Sequence, residues 1–236
     1  MQGDMNIRIL SGSTLKIIAV ISMLIDHTAK FLWADNEAIN QVLFTLGNLK
    51  VTPYFCLSSI IGRLAFSLFA FLIVEGYQHT RSVTRYARTL LLFAILSTLP
   101  YNYVQGDVFA FHGSNVLFTL FLGVVCLYAI DHTTRLKSAL VIIAALSIAF
   151  LIKCNYGPTG VAMIIAMYLL RQRREFQCLP IIIAFMSRKY TMFATLAAIP
   201  IMMYNGERGF IRGNIGKYLI YIFYPLHLIV LGYLRS

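Results

Sequence analysis

Apolar residues in this chain run together in stretches bounded by short polar turns, at 15–34, 56–79, 86–104, 115–131, 138–152, 158–171, 177–187, 190–204 and 217–234. A helix of roughly 20 apolar residues is long enough to cross a bilayer, and it satisfies its own backbone where no water can. The pattern predicts an all-α fold, a polytopic transmembrane helix bundle of about nine spans. Segment 177–187 has about half the length a crossing needs, so about eight spans with a short or re-entrant piece is the alternative. The longest connection, 35–55, holds Asp35, Glu37, Lys50 and Pro53, and an interfacial helix is expected around 42–49. Residues 17–25 follow Arg8 and Lys16 as a secretion signal would, but no small-x-small site comes after them. A retained signal-anchor helix is the expectation. No soluble domain or low-complexity linker interrupts the runs, so residues 1–236 read as a single integral-membrane helical domain.

Composition agrees. With 59% hydrophobic and 12% charged residues and a mean hydropathy of +0.75, too little polar surface remains to coat a water-soluble globule. The 20 Lys and Arg against 9 Asp and Glu give a net charge of +11. In a soluble chain that excess would suggest a nucleic-acid partner; here the cations crowd the short loops, and no basic stripe studded with aromatics lies outside the apolar runs, so none is expected. The bilayer itself is the expected partner. Placing the N-terminus in the cytoplasm puts Arg8, Lys16, Arg81, Arg85, Arg88, Arg135, Lys137, Arg171, Arg173, Arg174, Arg208, Arg212 and Lys217 inside. Lys30, Lys50, Lys153, Arg188, Lys189 and Arg235 then face outward or snorkel, and only the Arg188–Lys189 pair strains the positive-inside rule. Cys56, Cys126, Cys154 and Cys178 lie far apart without a CxxC and read as inert core fillers.

Against this background a few ionisable residues sit inside apolar runs. Asp26 and His27 lie near the end of the first, and Arg63, Glu75 and His79 lie along the second. A charge at a helix centre costs roughly 2.5–3.5 kcal/mol on insertion scales, so these groups need internal partners or a hydrated cavity. Asp26, His27 and Arg63 fall in the outer halves of their helices, where they can meet. Asp26 also has Lys30 one turn on as a structural partner, while His27, adjacent, must face elsewhere. Glu75 and His79 share a helical face near the inner end, and Arg81, Arg85 and Arg88 follow as a cationic rim. His227 follows Pro225 in the last run and is a candidate cavity residue. The Asp26-His27-Thr28-Ala29-Lys30 string recurs in part at Asp131-His132-Thr133-Thr134-Arg135, but five residues are too few to define a repeat. His112 reads as a solvated loop residue. No HExxH, Walker loop, GxGxxG or GxSxG occurs, and no metal site is expected.

A histidine can take a proton from an attacking amine or hydroxyl, with a carboxylate to orient it. Arginine can stabilise an oxyanion or bind phosphate. Set in line across a membrane, these parts suit an acyltransferase with a cytoplasmic thioester donor and an outer acceptor. They equally suit a proton-coupled transporter of a small molecule, since Asp, Glu and His inside helices make proton relays.

Longer strings sharpen the choice. Met23-Leu24-Ile25-Asp26-His27, Gly62-Arg63-Leu64-Ala65-Phe66, Leu68 through Glu75-Gly76-Tyr77-Gln78-His79-Thr80, and Tyr224-Pro225-Leu226-His227-Leu228 resemble the TraX family. Ser97-Thr98-Leu99-Pro100-Tyr101, Asn115-Val116-Leu117-Phe118-Thr119, Asn155-Tyr156-Gly157 and Tyr204-Asn205-Gly206-Glu207-Arg208-Gly209 extend the resemblance, in order, from near residue 15 to the C-terminus. Two positions depart from the family pattern: Ser67 stands in place of a kinking proline, and Asn155 in place of an acidic residue.

The resemblance implies a multi-pass protein of the bacterial inner membrane, linked to conjugation, with acetylation of a pilin amino terminus as the namesake activity. It implies acetyl-CoA or another acyl-CoA as donor, with a peptide or pilin amino terminus, a sugar or a lipid headgroup as acceptor; a noncatalytic pilus or conjugation assembly factor is the third reading. In the expected mechanism His27 is the general base, Arg63 stabilises charge in the transition state, Asp26 orients or neutralises one of them, and Glu75 and His79 line the inward route. Arg81, Arg85 and Arg88 are expected to hold the CoA phosphates. Asn115, Tyr156 and His227 are the candidates for the substrate cavity.

Overall fold

The computed structural model describes residues 8–109, 113–186, 191–211 and 213–235. Helix α1, Gly12–Leu32, starts where the Ser11 hydroxyl accepts from the Thr14 amide at 3.3 Å. After the short helix α2, Glu37–Asn40, strands β1, Phe44–Leu46, and β2, Leu49–Val51, form an antiparallel hairpin. This replaces the interfacial helix expected around 42–49. The cause is local: Gly47 adopts φ +57, and Gly47-Asn48 makes the two-residue turn that reverses the chain.

Helix α3, Pro53–Phe55, leads through a π-helical stretch, Cys56–Ile61, to helix α4, Leu64–His79. The π register is visible in the Gly62 amide, which donates to the Leu57 carbonyl at 2.9 Å, five residues back. The irregularity thus precedes Gly62 and Arg63, while α4 runs unbroken through Ser67.

The run expected at 86–104 is two helices, α5, Val83–Leu96, and α6, Thr98–Val104, separated at Ser97. Pro100 has no amide proton to give the carbonyl one turn back, which weakens the ladder here. At the same break the Ala94 carbonyl accepts from Asn115 Nδ2 at 2.8 Å and from the Thr98 hydroxyl at 3.1 Å. Helices α7, Val116–His132, α8, Arg135–Leu151, and α9, Gly157–Leu169, follow. Then come α10, Arg174–Gln177, α11, Leu179–Phe185, a 3-10 turn, Met192–Ala197, α12, Ala198–Met202, and α13, Gly213–Arg235, which contains Pro225. The Arg188–Lys189 pair, Arg212 and His112 lie outside the described residues.

Helix α4 is the axis of the bundle, with Leu68, Ala70, Phe71 and Val74 fully enclosed between α1, α9 and the 3-10 turn. Small residues set the close crossings, as in membrane bundles generally. A Cβ on Gly160 would lie 2.8 Å from both Phe66 Cζ and Thr119 Cγ2, and one on Gly123 would lie 2.7 Å from Ile164 Cδ1. Helices α1 and α4 are antiparallel, since Asp26 near the end of α1 meets Gly62 just before α4 begins. The other end of α1 is tied to the segment after α12. Leu10 donates to the Met203 carbonyl, Gly12 to that of Glu207 and Ser13 to that of Arg208, at 2.8–2.9 Å.

Among the described residues, two helical stretches are long and apolar enough to cross a membrane, Pro53–His79 and Tyr218–Arg235. The apolar stretches Val116–His132, Gly157–Leu169, Glu175–Phe185 and Met192–Met202 are shorter.

Candidate functional site

The C-terminal half of α1 presents two polar residues to two different neighbours. Asp26 is buried, and its Oδ2 accepts from Lys30 Nζ at 2.5 Å one helical turn on. Its Oδ1 is buried without a hydrogen-bond partner and packs on Gly62, where an added Cβ would lie 2.6 Å from it. The absent side chain at Gly62 is therefore what lets α1 approach the π-helical stretch. The Ser22 hydroxyl fastens the same crossing by donating to the Ile61 carbonyl.

Arg63 follows Gly62 and lies within electrostatic reach of Asp26 and the Tyr156 hydroxyl; its Nε is buried and unpartnered. Tyr156 owes its position to an unusual turn between α8 and α9. Lys153 and Tyr156 take positive φ of 47° and 66°, in the left-handed region that L side chains rarely occupy, and Gly157 follows at 51°. Ser114 donates to the Lys153 carbonyl at 3.2 Å and accepts from the Asn155 amide at 2.9 Å, while the Thr119 hydroxyl donates to the Asn155 carbonyl. The Tyr156 ring then stacks on Phe66 at 3.7 Å between centroids. Strain of this kind persists only where the surroundings over-determine it.

His27, one residue from Asp26, points to α13. Its Nδ1 lies 2.7 Å from His227 Nε2, the rings parallel within 2° and 5.0 Å apart between centroids. His227 is buried, and its Nδ1 is 2.9 Å from the Phe223 carbonyl. Lys30 is within electrostatic reach of both His27 and Asp26, so it joins the histidine pair to the Asp26, Arg63 and Tyr156 group.

The predicted residues thus divide. Asp26, His27, Arg63, Tyr156 and His227 gather at one end of the bundle. Glu75 and His79 stand at the far end of α4, about 18 and about 24 Å along the helix from Arg63 at 1.5 Å per residue. Neither bonds the other, and His79 is exposed. Arg81, Arg85 and Arg88 are exposed beside that end, where the Ser82 hydroxyl caps α5. Asn115 is fully buried; its Oδ1 accepts from the Leu117 amide at 3.1 Å as the cap of α7, and its Nδ2 holds the Ala94 carbonyl.

Sequence reasoning passed over a second polar cluster at the end where Glu75 and His79 lie. Asp131 accepts from Tyr77 at 2.8 Å and from Tyr168 at 2.5 Å, and Arg171 stacks over the Tyr168 ring at 3.9 Å. These residues, with Gln78 and His132, line a cleft of 360 Å³. Asp131 in the last turn of an otherwise apolar run was the available signal. Among the described residues no three His, Cys, Asp or Glu side chains converge as a metal ion would require.

Residues 11–235 match the family model described as TraX protein. A relative from Dichelobacter nodosus, described as probable fimbrial assembly protein FimC, serogroup H1, is 28% identical over 252 residues, covering 94% of this chain and 94% of its own length. No solved structure matches.

Proposed function

This chain belongs to the TraX family, and from that premise we propose that it is a multi-pass membrane acyltransferase, moving an acetyl or other acyl group from cytoplasmic acyl-CoA to an amine or hydroxyl acceptor at the outer side. The observation that carries the reading is the convergence of His27 with His227, and of Asp26 with Lys30, Arg63 and Tyr156, at one end of an apolar bundle. A base and a cation at the same end of the bundle are the groups that acyl transfer needs.

His27 takes the proton from the acceptor nitrogen or oxygen as that atom bonds to the thioester carbonyl carbon. Arg63, with Asp26 and Tyr156 within electrostatic reach, faces the negative charge that gathers on the carbonyl oxygen. When the carbon–sulfur bond breaks, the proton on His27 passes to the departing thiolate, which leaves as the free thiol. Arg81, Arg85 and Arg88 hold the CoA phosphates at the opposite mouth, with the thioester arm running inward past Glu75 and His79. The acceptor is a peptide or pilin amino terminus, a sugar or a lipid headgroup.

The topology that goes with this reading has about nine spans, counting the short 177–187 and 190–204 stretches as a pair, with the N-terminus in the cytoplasm of a bacterial inner membrane. Support comes from the ends of the helices. The N-terminus of α1 is bonded to the segment carrying Arg208, while Gln78, Asp131 and Arg171 share a cleft beside Arg81, so the most cationic loops gather at the end away from His27.

The test is transfer itself. Protein reconstituted into vesicles with labelled acetyl-CoA should pass label to an acceptor in the opposite compartment, and His27→Ala should abolish transfer while leaving insertion intact. Full activity in His27→Ala would remove this histidine from the chemistry. The name of the Dichelobacter relative favours one other reading, a noncatalytic pilus assembly factor; that protein would co-purify with a pilin and consume no thioester.

A further inference from the structure

The carbonyl of Phe223 has no proton to give, so the 2.9 Å contact with His227 Nδ1 requires that nitrogen to carry the hydrogen. In a neutral imidazole the other nitrogen, Nε2, is then a lone pair. It lies 2.7 Å from His27 Nδ1, which must therefore be the donor. The proton assignment runs outward from one backbone carbonyl through two rings. It ends at His27 Nε2 as a lone pair, which makes no hydrogen bond among the described residues. The alternative, a doubly protonated His227 donating at both nitrogens, would bury a cation at 5% exposure with no carboxylate among the described residues bonded to either ring, since Asp26 turns to Lys30. Free imidazole prefers its hydrogen on Nε2, which would leave His27 with a donor where a base is needed.

We infer that His227 is a positioning residue: anchored on the Phe223 carbonyl, it locks His27 in the Nδ1–H tautomer and so presents His27 Nε2 as the proton acceptor of the site. The catalytic half of this statement rests on the acyltransferase reading; the tautomer does not. When His27 takes a proton at Nε2, the ring becomes a cation whose Nδ1–H still points at the His227 lone pair. The charge is shared across the two rings without either leaving its place.

The experiment is nitrogen NMR on 15N-histidine-labelled full chain in nanodiscs, with His27 assigned by its loss in His27→Asn. Wild type should show His27 protonated at Nδ1 and bare at Nε2, with His227 in the same form. His227→Ala should return His27 to the Nε2–H form. His227→Gln, whose side-chain oxygen can accept from Nδ1, should retain the wild-type signature. If transfer is detected, kcat should fall about 100-fold or more in His227→Ala, with KM for the thioester donor little changed, and recover in His227→Gln. A wild-type His27 bearing its hydrogen on Nε2, a doubly protonated His227, or an Nδ1–H signal that survives in His227→Ala would each overturn the inference. Should His227→Ala fail to fold, the wild-type and His227→Gln spectra decide it alone. Absence of any acyl transfer with the expected tautomers would instead count against the acyltransferase reading.

Discussion

At the scale of single residues, the meeting of Asp26 with Gly62 governs the site. A Cβ at Gly62 would lie 2.5 Å from Asp26 Cβ, an atom fixed to its helix and unable to swing aside. Gly62→Ala must therefore move α1 away from the π-helical stretch, and overpacking of this kind typically costs about 1–3 kcal/mol. We expect a lower Tm in detergent for Gly62→Ala and loss of transfer together, because the same displacement separates Asp26 from Arg63. A variant with wild-type Tm and activity would mean the crossing is looser than the geometry requires. The Asp26–Lys30 pair was legible from its i, i+4 spacing, and the need for His27 to face another way followed from adjacency. That the other partner is His227, 200 residues along the chain, had no local signature.

At the scale of elements, the connection between α8 and α9 is a built turn. Its two left-handed side-chain residues are held by the 113–115 strand-like segment, and Gly113 makes that contact possible. Gly113 has φ +96, and a Cβ there would lie 2.8 Å from the Lys153 carbonyl oxygen. Gly113→Ala should destabilise the protein by about 1–3 kcal/mol and release Tyr156 from Arg63. Thermal unfolding reads the first effect and reduced transfer the second; a Tm equal to wild type would show that the turn does not depend on this glycine. Helical runs were legible because apolar length is a strong signal. The hairpin was carried by only two residues, Gly47 and Asn48, and the break at Ser97 by Pro100, so both are weak signals within otherwise continuous patterns. The π-helical stretch, a change of one residue per turn, leaves no mark on hydrophobic spacing.

At the scale of the whole molecule, the bundle carries a histidine-containing cluster at one end and exposed arginines at the other. The proposed orientation makes a direct prediction. In a variant freed of its four cysteines, Lys50→Cys and Lys153→Cys should react with a membrane-impermeant maleimide added to intact spheroplasts, and Arg85→Cys and Arg135→Cys should react only after lysis. Labelling of Lys153→Cys and Arg135→Cys from the same side would break the topology, because those positions flank α8 at its two ends. The same preparation, supplied with acyl-CoA on one face, distinguishes an enzyme that works across the bilayer from one that works on one side of it.

The sequence by itself determined the helical class, the apolar runs, the loops where cations crowd and the identity of most polar residues inside the bundle. These follow from composition and local spacing, which act over one or two helical turns. Only the tertiary structure decided which of those residues share a site. It joined His27 to His227, brought Arg63 within electrostatic reach of Tyr156, left Glu75 and His79 a helix length away, and brought Tyr77, Asp131 and Tyr168 together unforeseen. Pairings of this kind depend on which helices cross and at what depth. That depth is set by where a glycine or a strained turn lets two backbones approach, and a residue's own neighbours in the chain carry no record of it.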